Sequence, residues 1–156
     1  NSGSGGGSNP ISISPTNLCA DAPSMQLNTE YEVNIDTIDY DLWAPTDGHS
    51  NNGGDVRGFW VKVNTSTSYN GPIDISIYDV SNNFNPVISR KYNCTSIYYT
   101  QWNQSTLVAN QNGDGGSETF NDYSYGDGYS RYIRIYHYNS TETPNNISFK
   151  IKINTN

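Results

Sequence analysis

Apolar residues recur at every second position through much of the chain. Over 31–35, Tyr31, Val33 and Ile35 fall on one face, with Glu32 and Asn34 on the other. Over 58–63, Phe59, Val61 and Val63 oppose Trp60 and Lys62, and over 73–79, Ile73, Ile75 and Ile77 oppose Asp74, Ser76 and Tyr78. Ile133 and Ile135 oppose Tyr132, Arg134 and Tyr136, and Ile147, Phe149, Ile151 and Ile153 oppose Ser148, Lys150, Lys152 and Asn154. Successive side chains of a strand point to opposite faces, so this alternation predicts half-buried β-strands. Shorter strands are expected at 11–13, 87–92, 96–102 and 106–109. No segment carries a helical repeat with caps.

Strands with one apolar face each must lay that face on a second sheet. The expected fold is therefore all-β, a two-sheet antiparallel β-sandwich or jelly roll. Its core would hold Phe59, Val61, Ile73, Ile75, Ile77, Ile133, Ile135, Phe149 and Ile151. The Gly/Asn/Asp-rich stretches 44–55, 109–130 and 139–146 read as surface loops. Residues 1–16 begin with the run NSGSGGGS and place Ile11 and Ile13 between two prolines, forming an extended N-terminal arm with a short strand. Residues 17–156 form the sandwich domain.

Composition narrows the classes of partner. A chain of 156 residues suits one domain, and its 13 Tyr, 4 Phe and 3 Trp exclude a disordered polar segment. Eight basic against fifteen acidic residues give a net charge of −7. That balance argues against nucleic acid, whose phosphates are neutralised by Lys and Arg, and against an anionic membrane surface. No stretch approaches the roughly 20 apolar residues of a spanning helix. Cys19 and Cys94 are the whole thiol inventory, without a C-x-x-C and without a His in ligand spacing of Cys19. They form either a disulfide or two unrelated buried thiols. A bridge would stabilise by roughly 4 kcal/mol and place the chain in an oxidising compartment.

Candidate chemistry is sparse. His49 and His137 are the only histidines, no G-x-S-x-G elbow accompanies them, and Asp36, Asp39 and Asp41 are no more than an acidic loop offers. No catalytic residue is assigned and the chain is not expected to be an enzyme. Asn110, Asn112 and Asp114 alternate before Gly115 as in the first half of an EF-type loop, but the twelfth position is Asn121 rather than Glu. Asp122 and Asp127 fall in a second loop of this kind. A structural Ca²⁺ is the one ion these loops would hold, against which stands ordinary turn chemistry. Trp60, Tyr78, Tyr98, Tyr99, Trp102, Tyr132, Tyr136 and Tyr138 are expected as an outward aromatic platform for sugars or a protein partner, or else as packing for a second surface. Sequons at Asn64, Asn93, Asn103, Asn139 and Asn146 are candidate glycan acceptors, and Asp36-Thr37-Ile38 offers Thr37 as an Asp-Thr-aliphatic acceptor.

The stretches NLCADAPSMQL, GGDVRGFWVKV, GPIDISIYDV, ISRKYNC and RYIRIYHY…ISFKIKI resemble secreted β-sandwich modules of Bacteroidota surface proteins. Those modules are similar to the bacterial pre-peptidase C-terminal domain family. The resemblance spans 17–153 and implies a non-catalytic accessory fold with a Cys19–Cys94 disulfide. The chain departs from that pattern at Leu18, where an Asp is usual, and at Arg57-Gly58, which interrupt the Asp-Val-Trp-Phe run.

Two functions follow as expectations. An arm carrying Ile11 and Ile13 could add a strand to the sheet of the next copy, joining subunits head to tail into an extracellular filament or surface assembly. Alternatively, the chain is a carbohydrate-binding or adhesion module of a larger secreted protein. Its partners would be copies of itself or glycans, and its place the cell surface or the medium.

Overall fold

The computed structural model describes residues 9–36, 42, 58–91, 94, 107–108, 112–139 and 142–156. Among them run ten strands: β1 (Ile11–Ser12), β2 (Ser24–Met25), β3 (Glu30–Ile35), β4 (Phe59–Asn64), β5 (Asn70–Tyr78), β6 (Pro86–Lys91), β7 (Leu107–Val108), β8 (Glu118–Tyr125), β9 (Ser130–His137) and β10 (Ile147–Thr155). A short 3₁₀ turn, Cys19–Asp21, separates β1 from β2. Sheet A has the order β1-β3-β10-β5-β8 and sheet B the order β2-β4-β9-β6-β7. The fold is an all-β sandwich, antiparallel except where the two-residue strands β1 and β2 run parallel to β3 and β4.

Alternation does what the sequence implies. Tyr31, Val33 and Ile35 of β3, Ile73, Ile75 and Ile77 of β5 and the four apolar residues of β10 meet Phe59, Val61, Val63, Ile88, Ile133 and Ile135 of sheet B. All nine predicted core residues are buried in this one cluster. Phe149 anchors it, with its ring 6.2 Å from Phe59 and 5.4 Å from Phe84. A glycine stands at position 58, just before β4, because a Cβ there would stand 2.6 Å from the Ile135 carbonyl, at a φ of +132°. That close approach explains why a glycine interrupts the strand pattern at position 58.

Three expectations are corrected. The stretch 109–130 is not one loop, since β8 occupies its second half and pairs with β5 over eight residues. Trp60 is not outward in solvent. It is fully buried on the outer side of sheet B beneath Cys19 and Ala22, with Cys94 and Tyr132 packed beside it. Both faces of β4 are therefore covered, which period-two reading from one strand cannot reveal. The described part of the arm, from residue 9 onward, lies on the chain's own sandwich: Ile11 pairs with Tyr31, Ile13 donates its N–H to the Glu32 carbonyl, and Ile13 enters the chain's own core. Contacts with another copy were expected there.

Cys19 and Cys94 form a disulfide with Cα atoms 5.7 Å apart. It ties the 3₁₀ turn after β1 to the segment after β6, across the buried ring of Trp60.

Candidate functional site

At its β5–β8 end the outer face of sheet A carries two large exposed rings. Strand β8 alternates strictly: Glu118, Phe120 and Ser124 are buried, while Thr119, Asn121, Tyr123 and Tyr125 face out. Tyr125 is 74% exposed and Tyr123 40%. Their ring centroids lie 4.7 Å apart with planes tilted by 47°. Across the pair on β5, Tyr125 opposes Asn70, Tyr123 opposes the exposed Pro72, Asn121 opposes Asp74 and Thr119 opposes Ser76.

A polar row continues from the rings along the same face. Asn121 Nδ2 donates to Asp74 Oδ1 at 2.7 Å, and Asn156 Nδ2 donates to Asp74 Oδ2. Ser76 and Thr119 hydroxyls stand 3.4 Å apart. Farther across the sheet Tyr78 donates to Glu30, and Lys150 pairs with Asp79 at 2.9 Å and with Glu30 at 3.7 Å. Burial, with the Glu30 hydrogen bond and charge adding to it, pushes the Tyr78 hydroxyl up to about 12.

The rings are held from beneath. Arg131 on β9 is fully buried and uses all five guanidinium N–H donors. Nε donates to Asp122 at 3.0 Å, Nη1 to Thr65 Oγ1 at 2.8 Å and to the Tyr129 carbonyl at 3.0 Å, and Nη2 to the Tyr123 carbonyl at 3.1 Å and Asp127 at 3.4 Å. Arg90 donates to the other oxygen of Asp122 at 2.9 Å. Asp127 accepts the Tyr129 N–H at 2.9 Å, and this bond holds its carboxyl below the ordinary value; partial burial opposes the effect and Arg131 adds to it. Gly128 completes the turn because a Cβ there would meet Thr67 Cγ2 at 2.5 Å. The carboxylates considered as Ca²⁺ ligands, Asp122 and Asp127, are thus neutralised by arginine. Asp122 sits in a strand rather than a loop.

The other expected residues are scattered. Tyr132 packs against the Trp60 cluster with Lys62 Nζ 5.9 Å from its ring centre, and Arg134 lies 3.9 Å over the Tyr136 ring. Burial pushes the Arg134 guanidinium down to about 10. Of the described platform residues, Tyr138 alone is exposed, while Tyr132 and Tyr136 are half-buried on sheet B and Tyr78 is half-buried on sheet A. No single platform forms from them. Tyr98, Tyr99, Trp102, Asn110, Thr37, Asn93, Asn103, His49, Asp39 and Asp41 lie outside the described residues. Asn112 donates from Nδ2 to the Ser117 carbonyl, and no group of three or more His, Cys, Asp or Glu gathers around a common point among the described residues. Asp114 lies in the turn before Gly115. His137, to which no catalytic role was assigned, is buried in β9. Its Nδ1 accepts the Asn85 N–H at 3.1 Å and its Nε2 meets Glu142 at 2.9 Å, which fixes the proton on Nε2. Three sequon asparagines are exposed: Asn64 accepts from Ser130 at 2.6 Å, Asn139 donates to Glu142 at 2.8 Å, and Asn146 occupies a left-handed bend at φ 49°.

Tyr123 and Tyr125 were missed because their strand lacks an apolar face. Its inward positions are Glu118, Phe120, Asp122 and Ser124, three of them polar, so hydrophobic alternation gives no signal. The available signal was the alternation of Tyr123 and Tyr125 with Asp122 and Ser124.

No family model and no curated protein matches the chain. Among solved structures, it is similar to the pre-peptidase C-terminal domain of a collagenase from Bacillus anthracis. That likeness has 14% identity and a TM-score of 0.47, covering 85% of this chain and 94% of the other. No helix among the described residues is long and apolar enough to cross a membrane.

Proposed function

We propose that the chain is a non-catalytic extracellular recognition module, a carbohydrate-binding or adhesion domain of a larger secreted protein. The observation that carries this reading is the exposed Tyr123–Tyr125 ring pair on the outer face of sheet A. The polar side chains beside the pair bond to one another, and two large rings left in solvent on such a face contribute nothing to the core. Exposed aromatic surface next to oriented polar groups is the make-up of a binding site. Among the described residues, His137 is engaged between Asn85 and Glu142, and Asp122 and Asp127 are engaged by Arg131. The Cys19–Cys94 bridge supports an oxidising, extracellular setting. The test is retention of the protein on immobilised polysaccharides. Retention that Tyr123→Ala with Tyr125→Ala abolishes is expected, and a protein that no polysaccharide retains would contradict the reading.

A second reading keeps the chain as a self-assembling subunit. Strand β1 contributes two residue pairs to β3, and Ile11 is half exposed while Ile13 fills a core position. A strand held so briefly could be exchanged between copies, making the same contacts in trans and linking subunits head to tail. Concentration-dependent growth in light scattering, lost on Ile13→Asp, would favour this reading. A monomer at all concentrations would dismiss it.

A further inference from the structure

We infer that the Tyr123–Tyr125 pair and the Asn121–Asp74–Asn156 row together form one subsite for an uncharged pyranose of a neutral polysaccharide. The inference rests on the recognition reading of this face and deepens it by naming the ligand class. Ring separation comes first. Centroids 4.7 Å apart at 47° cannot each carry a separate stacked sugar, since two stacked pyranoses would collide. The pair instead makes one open corner, matched to the C–H face of a single ring. Reach comes second. Same-face neighbours on a strand stand about 7 Å apart, so a sugar resting on Tyr123 brings its hydroxyls to Asn121, the next outward residue.

Polar chemistry is the third observation. Asp74 is held at both oxygens, by Asn121 and Asn156. Each amide nitrogen keeps a second N–H, and each amide oxygen and the carboxylate keep acceptor capacity. An array of fixed donors and acceptors suits vicinal hydroxyls, which both give and take hydrogen bonds. Charge is the fourth. The outward positions of β5 and β8 are Asn70, Pro72, Asp74, Ser76, Tyr78, Thr119, Asn121, Tyr123 and Tyr125, without Lys or Arg; on the next strand, β10, Lys152 stands opposite Ser76 and Lys150 is paired with Asp79 and Glu30. With Asp74 in the row and a net charge of −7, uronate or sulfate groups are repelled. A neutral glycan is the partner left.

Affinity electrophoresis of the full chain tests this in gels containing hydroxyethyl cellulose, xyloglucan, laminarin or α-mannan, beside gels containing alginate or heparin. Retardation is expected in at least one neutral gel and in neither anionic one. Tyr125→Ala and Tyr123→Ala should each weaken binding by about tenfold or more, Asp74→Asn should weaken it several-fold, and Tyr125→Phe should restore it. Tyr138→Ala, on the other sheet, should bind as the parent does. Thermal unfolding of each variant checks that loss of binding is not loss of fold, and the Tyr125→Phe arm decides the matter where Tyr125→Ala is unstable. Neutral-glycan binding that survives both alanine changes overturns the subsite while leaving the module reading intact. Retardation by alginate or heparin overturns the ligand class. Absence of retardation in every gel overturns both the subsite and the reading it rests on.

Discussion

Arg131 donates from Nη2 to the backbone carbonyl of Tyr123 at 3.1 Å, so a buried cation of sheet B fixes the strand that displays the exposed rings on sheet A. The same guanidinium reaches Asp122, Asp127, Thr65 and Tyr129. Packing, electrostatics and the candidate site therefore meet in one side chain.

Removing that side chain should be costly. Arg131→Met leaves Asp122 buried with only Arg90 to answer it. Breaking a buried pair in this way costs about 3–5 kcal/mol. Urea unfolding at neutral pH measures it, and a loss under 1 kcal/mol would show the network to be dispensable.

Acid should loosen the same region. Asp127 has a carboxyl held below its ordinary value by the Tyr129 N–H and Arg131. A depressed folded value means that its stabilisation is present above the unfolded value and is lost as pH falls through the folded one. Asp127→Asn should therefore lower stability near pH 7 and leave it almost unchanged at pH 2. Chemical denaturation at both pH values reads the difference, and equal effects at both would contradict it.

Alkali acts on the other end of sheet A. Tyr78 is raised to about 12 by burial and by its bond to Glu30, so its contribution is complete below pH 10 and fades as pH rises toward 12. Difference titration at 295 nm between the parent and Tyr78→Phe should remove a phenol that ionises near pH 12. Loss of an early one would contradict the assignment.

The core prediction is simpler. Phe149 packs edge-on to Phe59 and stacks with Phe84 between the sheets. Phe149→Ala should cost about 3–5 kcal/mol. Replacing Cys19 and Cys94 by serine should cost about 4 kcal/mol by releasing a loop of 75 residues.

Legibility followed the apolar signal. β3, β5, β9 and β10 were readable because each has a single buried apolar face, and Phe59, Ile75 and Ile151 could be placed from spacing alone. β8 was not, because polar residues fill most of its inward face and find their partners elsewhere in the chain: Asp122 on Arg131 and Arg90, Glu118 on the Asn112 N–H and Ser124 on the Tyr69 carbonyl. Trp60 misled for the opposite reason. The turn that covers it comes from Cys19–Asp21, some forty residues away, and period two records only which face a residue takes. The parallel pairing of β1 and β2 was equally hidden, since two-residue strands take their direction from the partner they meet. Tyr123 and Tyr125 were not among the aromatics expected to face outward; of the described ones that were, Tyr132 and Tyr136 lie on sheet B and Tyr78 on sheet A.

The most direct measurement is a ¹H–¹³C spectrum of the tyrosine rings during titration with the neutral oligosaccharide whose polymer retards the protein most. Shifts confined to Tyr123 and Tyr125, with Tyr132, Tyr136 and Tyr138 unmoved, are the predicted result. Shifts at Tyr132, Tyr136 or Tyr138 while Tyr123 and Tyr125 stay still would place the ligand on sheet B and contradict the account.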